Sequence, residues 1–379
     1  MRIEFIYGPF SSAGKEFNFE CLFEDPQGLT GSETSCFMLA KEMADLGHEV
    51  YLYANISTNL NHPCKWGKLE IRRLAWFNQA RPTPEIVYSW NEPDLLKYVD
   101  RSVLRMVNQQ LNDFDYCREN NWDQYVDIYT SPSPSHLDFI SQFTPNKQKW
   151  QVVPNGHDPT LFDLMCKKNP GSVIYASSPD RGLHLLLQAW PTIKNAVPEA
   201  TLKIFYDFMK WFNNAANIPD SCDIPSREAG QRAKYIYYAL NRMKNGFGIS
   251  HHKSVSKQHL AREMSRSMVL AYPCSCTRPT EGFSVTTLEA CASGMVPILS
   301  SEDSLGQIYG GVAPMIRTPA RLHLEEFTEL VIKALIDEQF RYNVTQKTIN
   351  FSRDFTWPKI AKNLERIMQE GLNRKKYEQ

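Results

Sequence analysis

The chain has 379 residues, with 42 Lys and Arg balancing 42 Asp and Glu, and a mean hydropathy of −0.43. That length leaves room for two ordinary domains. The balanced charge supplies no overall field to attract nucleic acid or an acidic membrane, so any anion must be held by a local set of donors.

Nine cysteines, an odd number with no C-x-x-C pair, argue against a disulfide framework or a zinc site and favour a reducing compartment. The opening Met1-Arg-Ile-Glu-Phe-Ile-Tyr7 reads as a strand rather than a leader, and no run approaches 18 apolar residues. A cytoplasmic chain without a transmembrane segment is therefore expected.

In chain order, Arg2 to Tyr7 is a first strand and Gly8 to Thr30 a long loop. Thr30-Gly-Ser-Glu33 precedes a helix whose apolar face is Met38, Leu39, Met43, Ala44 and Leu46. Gly47 ends that helix and Val50 to Ala54 is the second strand. This βαβ opening lacks the G-x-G-x-x-G dinucleotide fingerprint. Further strands are expected at Leu69 to Leu74, Ile86 to Ser89, Val103 to Leu111 and Val126 to Tyr129. Asn112-Asp-Phe-Asp115 contains a D-x-D, which holds a metal only with a third partner. Tyr129 to His136 is a turn-rich loop ahead of a helix, and from it Ser135 or His136 could face a cleft.

Gln151-Val-Val-Pro-Asn-Gly-His-Asp158 falls near the middle and reads as the domain junction. A second α/β series then starts: strand Ser172 to Ala176, helix Leu183 to Ala196, strand Leu202 to Tyr206. Arg181, in the strand-to-helix loop, suits a phosphate contact through its planar fork of donors. Residues 207 to 248 read as an irregular excursion followed by a helix from Arg227 to Asn245. His251-His-Lys253 precedes a helix from Lys257 to Ser267. Adjacent histidines do not share a helix face, so this segment suits ligand contact better than chelation.

The most informative stretch is Glu281-Gly-Phe-Ser-Val-Thr-Thr-Leu-Glu289. A buried strand, Met268 to Pro273, runs into it. Ser284 is placed to cap a helix from Val285 to Ala292, Gly294 stops that helix, and Val296 to Ser300 is the next strand. The N–H groups of Phe283, Ser284, Val285 and Thr286 would then meet an anion at the carboxyl end of a parallel sheet. An amphipathic helix from Pro358 to Gly371 closes the pattern.

Several of these segments, in order, resemble the retaining glycosyltransferases of family 4, which have the two-domain GT-B fold. Thr30-Gly-Ser-Glu33 through Leu46-Gly-His-Glu-Val50 resembles "GGxE…LAxxLxxxGHEV", and Val153-Pro-Asn-Gly-His-Asp158 resembles "VPNGVD". Arg181-Gly-Leu-His-Leu-Leu-Leu187 with Pro198-Glu-Ala-Thr-Leu202 resembles "KGxxxLLxA…PxAxL". Pro273 through Ser300 resembles "PSxxEGFGxxxLEAMAxGxPVVxS".

The resemblance implies two doubly wound Rossmann-like domains facing each other across a cleft. One is an acceptor domain at 1–157, completed by a final helix at 358–379 that crosses back to it. The other is a donor domain at 158–357. It places Glu281 beside the transferred sugar and Glu289 on the nucleotide ribose. The amides of Phe283, Ser284 and Val285, with Arg181, fall on the diphosphate, and Gly31 approaches it from the first domain. His252 and Lys253 stand at the edge that touches the nucleobase.

The implied substrates are a UDP-, GDP- or ADP-sugar and a hydroxyl acceptor, with no metal or other cofactor and no nucleic acid. Peripheral membrane contact and the oligomeric state stay open. The chain departs from the pattern at Ala176, where the family has arginine, so one phosphate cation is missing unless Lys253 or Arg278 supplies it. It also departs at Asn112, where a sugar-contacting histidine is often found; that leaves Asn112 and His136 as the acceptor-side candidates. Alternatives are a GT-B epimerase or phosphorylase, or a non-catalytic sugar-nucleotide binder.

Overall fold

The computed structural model describes residues 1–56, 64–77, 79, 82–117, 121–163, 166–219, 221–243 and 245–378. Two compact units result. One comprises Met1–Asp25, Leu29–Gly156 and Phe355–Gln379, the other Pro26–Gly28 and His157–Asp354.

The first unit contains strands β1 (Arg2–Tyr7), β2 (Glu49–Ala54), β3 (Cys64–Trp66), β4 (Leu69–Arg73), β5 (Ile86–Trp90), β6 (Leu104–Asn108), β7 (Ile128–Ser131) and β8 (Trp150–Val152). They form one sheet in the order β3-β4-β2-β1-β5-β6-β7-β8. Among the described residues only the edge pair β3–β4 is antiparallel. The middle strands β5 and β6 are buried along their whole length, as parallel strands covered on both faces must be.

The helix Gly31–Asp45 starts with a capping box: Glu33 N–H donates to Thr30 Oγ1, and Thr30 N–H donates to the Glu33 carboxylate. The final helix, Trp357–Glu378, belongs to this unit. Trp357, Ile360, Leu364 and Met368 share its core with Phe5, Phe37 and Leu39. Gly371 lets that helix lie close on the sheet, since a Cβ there would come within 2.8 Å of Leu104 and Ile128.

The second unit contains β9 (Ser172–Tyr175), β10 (Thr201–Phe205), β11 (Ile249–His252), β12 (Val269–Tyr272), β13 (Val296–Ser300) and β14 (Met315–Ile316). All are parallel, in the order β11-β10-β9-β12-β13-β14. Counted from the start of the unit, that is the 3-2-1-4-5-6 arrangement of dinucleotide-binding sheets. Its ligand crevice opens at the carboxyl ends of β9 and β12, where the direction of winding reverses.

One expectation fails locally. The segment after β10 is not irregular: Phe208–Ala215 and Ile224–Arg242 are helices. Asp207 and Asp223 cap them through their carboxylates. Phe208 and Phe212 recur at helical spacing and stack on one another, and Phe212 stacks on Tyr237 of the longer helix. Residue 244, within the span predicted helical, lies outside the described residues.

Candidate functional site

The crevice of the second unit is made by two loops, one after β9 and one after β12. Gly182 ends the first in a left-handed conformation, φ +119°, and sits so tightly against the second that a Cβ would fall 2.1 Å from the Pro273 carbonyl oxygen. Glycine is required there on both counts. Arg232, buried on the Ile224–Arg242 helix, ties the same loops from beneath. Its Nη1 donates to the Asp180 carbonyl at 2.8 Å and to the Ser275 carbonyl, while Nη2 pairs with Glu228 at 3.1 Å.

This juxtaposition brings Arg181 to Glu281. Arg181 Nη1 lies 3.2 Å from Glu281 Oε2, and the same oxygen accepts a 2.6 Å hydrogen bond from the Tyr272 hydroxyl. The Arg181 side chain keeps 29% of its surface exposed against 7% for Glu281, so the guanidinium is the solvent-facing member of the pair. Burial works against its charge, but Glu281, Tyr272 and Cys276 more than offset this and raise its pKa further. It is a permanent cation. Burial, with Cys274 and Glu281 nearby, pushes the Tyr272 phenol up as well, so it stays a proton donor to Glu281.

Glu281 is fixed on its backbone side too. Its N–H donates to Asp303 Oδ2 at 3.0 Å, and its carbonyl accepts from Ser304 Oγ at 2.5 Å. The helix Val285–Ala292 then begins at Ser284, which adopts φ 64°, ψ 76°. Contrary to the capping expected of it, the Ser284 hydroxyl bonds no backbone N–H and instead meets Thr287 Oγ1 at 2.8 Å. A left-handed non-glycine residue costs of order 1 kcal/mol. The Tyr309 hydroxyl holds the strained turn by donating to the Ser284 carbonyl at 3.0 Å. The helix geometry leaves the N–H groups of Val285 and Thr286 without intrahelical acceptors, and with the dipole they make a site for an anion. Phe283 and Val285 bury their side chains beneath that turn.

Glu289 sits one further turn along and is 1% exposed. Its Oε1 lies 2.5 Å from Lys257 Nζ, and its Oε2 is buried without a hydrogen-bond partner among the described residues. Lys257, Tyr272 and Arg232 were not singled out from the sequence. Tyr272 closes an apolar run and reads as core, and Arg232 reads as the i+4 partner of Glu228. Lys257 left one trace, a lysine in the first turn of a helix, where the dipole disfavours it.

The remaining candidates lie in varied surroundings. His252 ends β11, stacks on Phe205 at 4.8 Å and has its pKa lowered by partial burial and by Lys203. Lys253 beside it is exposed. Arg278 is engaged by Asp223 at 2.8 Å and Ser226 at 3.1 Å, at the start of the Ile224–Arg242 helix.

In the first unit, Gly31 is the first residue of its helix, half-buried behind the capping box. His136 is buried with both ring nitrogens engaged, by Ser131 Oγ at 2.6 Å and by the Leu111 carbonyl at 3.2 Å. It therefore holds the loop after β6 to the sheet. Asn112 in that loop is half-buried. At this unit's own winding reversal, between β1 and β5, a pocket of about 410 Å³ is lined by Pro9, Phe10, Glu92, Tyr98 and Tyr116, among others. Phe10 and Tyr116 stack at 4.3 Å. Burial pushes the Glu92 pKa up, against the pull of the Ser11 N–H that its Oε1 accepts at 2.7 Å. Among the described residues no group of three or more His, Cys, Asp or Glu is gathered as for a metal ion, and no helix is long and apolar enough to cross a membrane.

Two parallel-sheet α/β units, the second with the 3-2-1-4-5-6 strand order and a helix start at its winding reversal, define a Rossmann-type architecture. Within that class the chain has the GT-B fold of glycosyltransferases, as the sequence resemblance implied.

AviGT4, a glycosyltransferase involved in avilamycin A biosynthesis, superposes with a TM-score of 0.67 at 13% identity over 98% of both chains. Sucrose-phosphate synthase from Thermosynechococcus elongatus does so at 0.68 and 12%, also over 98% of both. Anabaena Alr3699/HepE in complex with UDP-glucose matches at 0.66 and 13%, over 98% of this chain and all of that one. No family model matches the sequence, and no curated protein does.

Proposed function

We propose that the protein is a retaining, metal-independent glycosyltransferase of the family 4 type. It would transfer a hexosyl group from a nucleotide diphosphate sugar to a hydroxyl acceptor. The observation that carries this reading is the convergence of Arg181, Glu281 and the start of the Val285–Ala292 helix on the winding reversal of the second sheet. An anion placed there meets backbone donors on one side and a permanent cation on the other.

In transfer, the bond between the anomeric carbon and the diphosphate oxygen breaks, and a bond to the acceptor oxygen forms as the acceptor hydroxyl passes its proton to the departing diphosphate oxygen. Negative charge grows on the departing diphosphate. The Val285 and Thr286 N–H groups and Arg181 stabilise it from fixed positions, with no reorganisation at the moment of reaction. Positive charge grows on the sugar, and Glu281, oriented by Tyr272, lies beside it. Glu289 takes the nucleotide ribose. The donor is a UDP-sugar, a reading supported by the likeness to Alr3699/HepE, whose complexes hold UDP or UDP-glucose. The acceptor enters the pocket of the first unit, where stacked Phe10 and Tyr116 offer a flat apolar face suited to a sugar ring. Nine free thiols fit a reducing, cytoplasmic setting.

The test is a panel of UDP-, GDP- and ADP-sugars, scored first by thermal stabilisation. A donor at a hundredfold its dissociation constant adds about 2.7 kcal/mol. The stabilising donor is then incubated with candidate acceptors in EDTA, and the product's anomeric configuration is read by NMR. Transfer with the donor's configuration kept is expected. Epimerised donor, phosphorolysis, or binding without turnover would replace the reading with one of its competitors, and inversion would remove the retaining assignment.

A further inference from the structure

Lys257 and Glu289 form an ion pair inside the second unit. Both side chains are almost wholly buried, at 7% and 2% exposure, with 2.5 Å between Nζ and Oε1. Lys257 is the first residue of the Lys257–Arg266 helix, whose cap is Ser256. A cation at that end opposes the helix dipole. Buried ion pairs also rarely stabilise a fold more than apolar side chains of the same volume. The remaining oxygen, Glu289 Oε2, is buried with no hydrogen-bond partner among the described residues, which costs free energy in the absence of a ligand. A misplaced acceptor and an awkward cation at one point, one turn into the helix that opens the anion site, have a common explanation in a ligand that satisfies both.

The chemistry of that ligand follows from the atoms. Oε2 of a carboxylate is an acceptor only, so it needs an O–H or N–H donor. Lys257 Nζ has three donors, of which Glu289 takes one, so it can serve an acceptor oxygen next to that donor. Two neighbouring hydroxyls match: one donates to Oε2, and the oxygen of the other accepts from Nζ. We infer that Lys257 and Glu289 together form a clamp for a vicinal diol, the 2′-hydroxyl oxygen accepting from Lys257 Nζ and its neighbour donating to Glu289 Oε2, so that Lys257 reads the hydroxyl a deoxyribonucleotide donor lacks. This rests on the proposed placement of the ribose at Glu289. It adds that the selectivity belongs to the pair and not to the glutamate alone.

Calorimetry on the full chain with UDP, GDP and ADP, each beside its 2′-deoxy counterpart, tests the clamp. The wild type should bind one ribonucleotide about tenfold or more tighter than its deoxy form, the value of a charge-assisted hydrogen bond. Lys257→Met should bring that ratio close to one. Lys257→Arg, which keeps the charge, should retain part of it. Should Lys257→Met fail to fold, the double variant Lys257→Met/Glu289→Leu replaces the pair with apolar volume and should fold and bind without discrimination.

Three outcomes separate the failures. If no nucleotide binds the wild type, the nucleotide-sugar reading falls and the clamp with it. If a nucleotide binds but the deoxy form binds equally well, the clamp is overturned while the donor site stands. If discrimination survives in Lys257→Met, or in the double variant, Lys257 is merely structural.

Discussion

Tyr272 and Glu281 are joined by a 2.6 Å hydrogen bond in which the buried phenol donates to Oε2. Arg181 reaches the same oxygen at 3.2 Å. Both bonds land on one oxygen, so the carboxylate is fixed in orientation while Oε1 takes neither.

Replacing Glu281 by Gln keeps the shape and removes the charge. Transfer should fall by about a hundredfold or more, the usual consequence of losing one oriented electrostatic partner, while nucleotide diphosphate binding changes by less than about threefold. Steady-state kinetics beside calorimetry with the nucleotide checks this, and wild-type turnover by the variant would remove Glu281 from the chemistry.

Gly182→Ala should damage the site more than it damages the fold's outer elements. The added methyl meets the Pro273 carbonyl at a φ of +119°, and the loops carrying Arg181 and Glu281 must part to admit it. A loss of about 2 to 4 kcal/mol, within the range for strain at a special backbone position, and a weakened nucleotide affinity are expected. Urea titration and calorimetry report the two separately.

At Ser284 opposite changes distinguish strain from packing. Ser284→Gly relieves the left-handed conformation but loses the bond to Thr287 and gains freedom in the unfolded chain. These effects oppose one another, so stability should stay within about 1 kcal/mol of wild type. Ser284→Val carries a β-branched side chain into the same φ. It should cost about 2 kcal/mol or more and weaken anion binding. Equal stability of the two variants would show that the turn is not strained.

His184 gives the second unit an acid-sensitive point. Burial, helped by the Arg232 charge, lowers its pKa from 6.5 to about 3, and its Nδ1 is buried without a hydrogen-bond partner among the described residues. Between those values the unfolded chain binds a proton that the folded chain refuses. Stability contributed by this residue is thus present above 6.5, falls as pH drops through that value, and is gone at about 3. Melting temperatures from pH 7.5 to 4.5 should decline less steeply in His184→Gln, which never takes up the proton. Parallel slopes would show that His184 is not responsible.

The helix Val285–Ala292 and the strand Val296–Ser300 were legible in the sequence to the residue. Their signals are local: a polar loop, an apolar helical run, Gly294 in a left-handed turn, and a buried β-branched strand. The pairing of Arg181 with Glu281 was legible only as two candidates in two loops, because the contact spans 100 positions and depends on strand order. Lys257, Tyr272 and Arg232 escaped for the same reason: each is ordinary in its own segment and acquires a role only when a distant loop is folded against it. The helix Phe208–Ala215 was missed because two prolines and a polar stretch follow it, and they outweighed the aromatic spacing at 208 and 212. His136 drew attention as a cleft histidine, but its ring is engaged on both sides by Ser131 and Leu111, partners that come from tertiary placement.

The first unit's core needs Trp357, Ile360, Leu364 and Met368, which emerge from the ribosome some 200 residues after Gly156 closes the earlier part of that unit. The second unit, by contrast, is nearly continuous from His157 to Asp354. During translation it can therefore finish first, while the unit begun earlier waits with an uncovered apolar flank for the last helix to arrive. Ribosome stalling ahead of residue 357 would leave that flank open to chaperones or aggregation, so the chain's birth order and its assembly order are reversed.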